Sequence, residues 1–241
     1  MNSTVSDFTL SAYVAMIEAL QTRGFKIHSY AKADPVKPHL ILRHDIDFDL
    51  GAAVELATIE ANQGWCANYF VLMRSEFYNP MSPASSDAIS RLRALGHRIG
   101  LHFDAAAYPP DPERFVTAVK DECAILEDIC GAPVEAFSLH RPHPDLIDHD
   151  FDVPGRINVY APAFFRDIGY CSDSRGEWRY GHPLAHPAVG AKQALQLVTH
   201  PIWWTQPDGV PNDKCIAILN ARATLLDAEM MRNCLAYRGR C

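Results

Sequence analysis

Residues 40–50 read LILRHDIDFDL. Leu40, Ile41 and Leu42 have the character of a core strand, and then Arg43, His44, Asp45, Asp47 and Asp49 arrive within seven positions. Carboxylates two residues apart on an extended strand share one face and repel one another, so this run requires a cation among them. Arg43 reads as one counter-charge for the acidic cluster.

Working outward, helical and strand-like segments alternate. A helical stretch over 11–24 stops at Gly24 and precedes the strand at 38–45. A helix over 50–64 with a glycine stop leads into a β-rich run at 66–73, and a helix over 85–96 leads into a strand at 97–103. A long amphipathic helix over 111–131 opens with Asp-Pro, closes at Gly131 and precedes a strand at 134–140. Short strands follow at 169–174 and 194–200, and a final helix is expected over 225–237. The caps and glycine stops fall where helix ends need them. Repeated βα units imply a mainly parallel sheet, open or closed into a barrel. There is no internal repeat, low-complexity tract or long linker, so one domain over residues 1–241 is expected.

The net charge of −7 and the lack of a Lys/Arg cluster argue against a nucleic-acid partner. The opening residues have no basic leader, and their longest uncharged run is too short to span a bilayer, so no transmembrane segment is expected. Seven scattered cysteines, none in C-x-x-C spacing, fit reduced thiols in a cytoplasmic protein better than a disulfide framework.

Each expected strand ends in chemistry: RHDID, LHFD, SLHRP, SDS and VTHP. In parallel α/β folds the loops at the C-terminal strand ends converge on the site. Asp45 and Asp47 on one face suit a division of labour, one holding a metal and the other acting as a base. His102 supplies an imidazole suited to zinc and related ions, and Asp104, two residues on, shares its face. His140, Arg141, Asp173 and His200 stand at other strand ends. Asp49 and Asp173 read equally well as caps. His28, His39, His97 and His149 read as structural histidines. His182 and His186 have a metal-like spacing, but Pro183 and Pro187 argue against a helix there, and the pair reads as a decoy.

Taken in order, RHDID, GHRIGLHFD, SLHRP, YCSDSRGEW and LVTHPIWW resemble the polysaccharide deacetylase family of carbohydrate esterases, in the branch whose first motif reads R-H-D-[IV]-D. The resemblance runs from about residue 39 to 204. It implies an α/β fold, a distorted (β/α) barrel of about seven strands forming a single polysaccharide deacetylase-like catalytic domain over 1–241. It also implies one divalent metal ion, with Zn2+ the first expectation, and hydrolysis of a carbon–nitrogen bond in an N-acetyl group on a sugar. By this resemblance Asp45 is the general base, Asp47 and His102 are metal ligands, and Arg141 holds the base aspartate. Asp173 orients His200, the general acid. The family's H-x-x-x-H motif would place a second histidine at position 106, which is Ala106 here. His140 is the first expectation for the replacement ligand and Asp104 the second.

Trp203 and Trp204 read either as a sugar-stacking platform or as a core pair. With no export leader evident, a cytoplasmic location is expected, and with it a carbohydrate substrate such as a sugar nucleotide, a lipid-linked sugar or an oligosaccharide. Two alternatives stay open: a metal-free hydrolase of a cyclic amide or ureide on the same fold, and a non-catalytic carbohydrate-binding relative.

Overall fold

The structure, a computed structural model, describes residues 8–141, 152–179, 181–206 and 209–240. His149 and Cys241 lie outside these residues. The chain runs α1 (Leu10–Thr22), β1 (Lys26–Ile27), β2 (His39–Ile46), α2 (Leu50–Asn62), β3 (Asn68–Leu72), α3 (Pro83–Ala94), β4 (Arg98–Asp104) and α4 (Pro112–Cys130). It continues through β5 (Ala136–His140), β6 (Ile157–Asn158), α5 (Pro162–Phe165), β7 (Gly169–Ser172), α6 (Pro187–Ala191), β8 (Leu195–Thr199), α7 (Pro201–Thr205) and α8 (Pro211–Asn233).

Every strand pairing is parallel, and the sheet follows the order β6-β5-β4-β3-β2-β8-β7, with β1 beside the start of β2. Seven strands on one path, with helices between them, form a distorted (β/α) barrel. It is open between β6 and β7, which are not paired among the described residues. Side chains fill this opening: Phe165 lies 5.4 Å from Tyr160 and 4.8 Å from Tyr170, ring centre to ring centre.

The helices form where the sequence supplies ends for them. Asp49 accepts the backbone N–H of Gly51 at the start of α2, and Asp111 accepts that of Glu113 at the start of α4. Gly131 ends α4 at φ +63°, the left-handed conformation that glycine adopts at little cost. The final helix departs from expectation, for it begins at Pro211, well before the 225–237 segment, and ends at Asn233. Pro211 at the first helical turn is a start signal, and the helix-compatible residues after it carry the helix on. No helix among the described residues is long and apolar enough to cross a membrane.

The central strand stays buried through its charged end. Leu40, Ile41, Leu42, Arg43 and His44 are each fully buried, and Asp45 nearly so. Alternation sends Arg43 and Asp45 to the barrel interior and His44 toward the helices. In the interior, the Arg43 guanidinium sits 5.5 Å from the centre of the Phe70 ring and 4.8 Å from that of Tyr160. Phe70 has room because its neighbour in the β3–β4 register is Gly100. A Cβ at Gly100 would stand 2.5 Å from two carbons of the Phe70 ring. Gly100→Ala should therefore displace Phe70 and lower stability by about 1–3 kcal/mol, as overpacking does. Urea denaturation checks this, and an unchanged midpoint would contradict it.

Candidate active site

The site forms at the C-terminal strand ends, as the motif positions predict. Each aspartate of the opening run meets a different partner. Asp45 receives Arg43 in a forked pair, Nε to Oδ1 at 2.9 Å and Nη2 to Oδ2 at 2.7 Å. Asp49 caps α2 and lies 3.6 Å from the Arg222 guanidinium. Asp47, just beyond β2, faces two imidazoles.

His102 from β4 and His140 from β5 converge on Asp47. Asp47 Oδ1 lies 3.1 Å from His102 Nε2 and 3.3 Å from His140 Nδ1, and the two nitrogens are 3.1 Å apart. Asp47 Oδ1 is buried, yet neither contact is aligned as a hydrogen bond. Donors bound at zinc-like distances of roughly 2.0–2.2 Å stand about 3.3–3.6 Å apart in a tetrahedral shell and about 2.8–3.1 Å apart in an octahedral one. The triangle of donors thus has the edge lengths of one face of a metal shell, and its carboxylate and imidazoles fit a divalent ion. His102 Nδ1 meets Ser138 Oγ at 2.6 Å, which fixes the ring and leaves Nε2 turned to Asp47. Burial pushes the Asp47 carboxyl up, but the facing imidazoles overcome this and hold it well below the usual carboxylate range.

Asp104, the second expectation for the replacement ligand, is turned elsewhere. It accepts the Ala106 backbone N–H at 3.2 Å and pairs with the Arg141 guanidinium. Ala106 sits exposed on a short turn after β4. Among the described residues, Asp47, His102 and His140 are the group whose ligand atoms gather within 4.8 Å.

Arg141 requires a correction. The resemblance assigns it to hold Asp45, but its largely exposed side chain pairs with Asp104, and Arg43 takes Asp45 instead. Arg43 lies two residues away on the same strand face, close enough for both nitrogens to meet both oxygens without a loop residue. Burial works against the Asp45 carboxylate, while Arg43, then His102 and His200, lower its pKa below the ordinary value.

His200 follows β8, and its ring is fixed by Asp173. His200 Nδ1 meets Asp173 Oδ1 at 2.6 Å, and the His200 backbone N–H also points at this carboxylate. Trp204 donates its indole N–H to Asp173 Oδ2 at 2.8 Å. The opposite ring nitrogen, Nε2, lies 3.8 Å from Asp47 Oδ2. Burial would lower the His200 pKa, but Asp173, with Asp47 and Asp45 adding, raises it to about 9. Trp203 and Trp204 are both buried, so they belong to the core and offer no sugar platform. His182 and His186 each accept a backbone N–H at the start of a proline-led turn, from Leu184 and Ala188.

Behind the site lies a polar network that strand-end motifs did not reveal. His44 meets Thr199 Oγ1 at 2.6 Å and Glu60 Oε1 at 2.9 Å. Glu60, fully buried on α2, also accepts from Tyr13 at 2.5 Å and Tyr69 at 2.6 Å. His44 precedes Asp45 and Thr199 precedes His200, so this contact joins the strands that carry the base and acid candidates. The apolar setting of His44 in the opening run was the available signal, since a buried imidazole needs partners.

No family model and no curated protein matches the sequence. Several solved structures resemble the chain. A chitin deacetylase from the fungal pathogen Colletotrichum lindemuthianum is 17% identical, with 82% of this chain and 86% of that one covered at a TM-score of 0.46. The deacetylase PplD of Streptococcus pyogenes, in complex with acetate, is 13% identical over 88% and 85% of the two chains at 0.47. A family 4 carbohydrate esterase pseudoenzyme from Bacillus anthracis is 11% identical over 81% and 63% at 0.47. The likeness is one of outline, and the chemistry rests on the side chains described above.

Removing any one of Asp47, His102 and His140 should weaken divalent-ion binding by at least the 10–100-fold that loss of a supporting contact costs. Asp104→Asn should bind normally. Zinc titration by calorimetry checks the set, and normal binding by His140→Ala together with loss in Asp104→Asn would reverse the assignment.

Proposed function

We propose that this protein is a metal-dependent amide hydrolase that removes an N-acetyl group from an acetamido sugar. The observation that carries the hydrolytic reading is the donor triangle of Asp47, His102 and His140 set between an arginine-held carboxylate and an aspartate-held imidazole. Asp45 Oδ2 is 3.9 Å from His102 Nε2, and His200 Nε2 is 3.8 Å from Asp47 Oδ2. The sugar and the acetyl group rest on the ordered motifs and their resemblance to polysaccharide deacetylases.

A divalent ion held by Asp47, His102 and His140, with zinc the first expectation, would supply Lewis acidity toward the amide oxygen and acidify water. Asp45 takes a proton from the water that adds to the carbonyl carbon. Arg43, locked to both carboxylate oxygens, keeps this base ionised and aimed. As the carbon–nitrogen bond breaks, His200 gives its Nε2 proton to the departing nitrogen, so the products are acetate and a free amine. Asp173 holds Nδ1 and turns Nε2 to the mouth. Without that proton the intermediate would return to substrate, because an amide anion is a far poorer leaving group than water or hydroxide.

Asp45 must be ionised and His200 protonated, so kcat/KM should rise with pH through the low Asp45 pKa and fall through the His200 pKa. A cation at Asp47 offsets one of the carboxylates that raise His200, which puts the basic limb below about 9. Asp45→Asn and His200→Ala should each cost about 10²–10⁴-fold in rate. Both should retain metal, and His200→Ala should lose the basic limb. Rates on an acetamido sugar, with metal content measured alongside, test this. Near-normal turnover in both variants would reject the mechanism, and loss of metal from Asp45→Asn would make Asp45 a ligand.

A further inference from the structure

The final helix, α8, is attached to the barrel along a narrow line. Its buried residues are Lys214 and Ile218, and the lysine donates to the backbone oxygens of Phe8 and Trp203. On the opposite side Ile216, Leu219, Ala223, Leu226 and Met230 recur at alternating intervals of three and four. At 3.6 residues per turn these five fall within an arc of about 80° that faces away from Lys214 and Ile218. The four large ones are 47–62% exposed. Such spacing is that of a helix-pairing seam, and Leu219 and Leu226 also border a cleft whose other wall includes Met73, Phe77 and Tyr78. The five residues leave roughly 400 Å² in water, as large as the patches that mark partner sites and about half of one partner's share of a standard interface. Leu225, Met231 and Leu235 beside them are exposed too.

We propose that α8 is a dimerisation helix that pairs with α8 of a second copy of this chain in an antiparallel, two-fold arrangement. Charge complementarity selects the second copy and the direction. Arg222, whose 3.6 Å pair with Asp49 is partly exposed and of the kind that exchanges readily, and Glu229 flank the seam at positions that face each other across an antiparallel pair, and the two-fold axis makes the contact twice. A parallel pair would set Arg222 against Asp227, which already accepts from Tyr237 Oη at 2.5 Å and from the Arg240 backbone N–H at 3.0 Å. Among the described residues Glu229 pairs with the exposed Arg232 at 2.8 Å, and such surface pairs exchange readily. Shape agrees with charge: antiparallel layers set Leu226 of one copy against the small Ala223 of the other, and Leu219 against Met230. This proposal stands on α8 alone and does not depend on the hydrolase reading.

Sedimentation velocity of the full chain over a concentration series tests it, with far-ultraviolet circular dichroism of each variant to verify folding. The wild type should dimerise, and Leu226→Asp should raise the dimer dissociation constant about tenfold or more with its fold intact. Glu229→Arg alone should weaken the dimer, and Arg222→Glu combined with Glu229→Arg should restore it. If Leu226→Asp fails to fold, Leu219→Lys replaces it. A wild type that is monomeric at every concentration overturns the proposal, as does a dimer indifferent to these seam substitutions. A dimer that needs Leu226 but ignores the charge reversal overturns the antiparallel direction.

Discussion

Three carboxylates spaced two residues apart on one strand end cannot remain ionised together in a protein interior without separate neutralisation. Asp45 has Arg43, Asp49 has the start of α2 with Arg222 nearby, and Asp47 has two imidazoles at metal-ligand spacing. Arg43 is the interaction on which the rest depends. Its guanidinium is buried in the barrel, so the pair with Asp45 is costly to form and costly to break from one side. It persists because the surroundings satisfy it: Phe70 and Tyr160 cover its faces, and Gln196 Oε1 accepts from Nη1 at 3.3 Å.

From that pair the architecture can be followed in both directions. Toward the interior, Gly100 clears space for Phe70, Phe70 supports Arg43, and Arg43 sets Asp45. Toward the helices, His44 turns the other way and meets Glu60 and Thr199, joining β2 to β8 one residue before Asp45 and His200. The same few residues of β2 therefore fix the base on one face of the strand and the spacing to the acid on the other. Asp173 completes this by accepting from His200 and Trp204, so the second tryptophan after His200 helps fix an aspartate.

Much of this was legible in the chain. Apolar runs ending in His or Asp marked the strand ends, because a buried strand carries charge only where it meets a site. Prolines beside His182 and His186 marked two short turns where a single helix would otherwise be read, and the Ala106 departure pointed to His140. Other parts were not legible for physical reasons. Arg141 was assigned to Asp45 by resemblance, while Arg43 read only as a counter-charge for the whole cluster, and its choice of Asp45 appears once the barrel wall encloses both. Glu60 reads as a solvent-facing helix residue, and its burial depends on Tyr13, His44 and Tyr69 arriving from three other elements. The two-residue strands β1 and β6 carry too few residues for a period, and α8 begins earlier than expected because Pro211 starts it and the residues after it are helix-compatible.

The central claim is that the buried Asp47 oxygen, facing His102 and His140 without an aligned hydrogen bond, belongs to a metal site that these two histidines complete. Its most direct test is anomalous diffraction from crystals grown with zinc, recorded on both sides of the zinc absorption edge. The prediction is one strong peak within bonding distance of Asp47, His102 Nε2 and His140 Nδ1, with Asp45 remaining on Arg43. A peak bound by Asp104, or no peak at Asp47 while the ion occupies other sites, would contradict it.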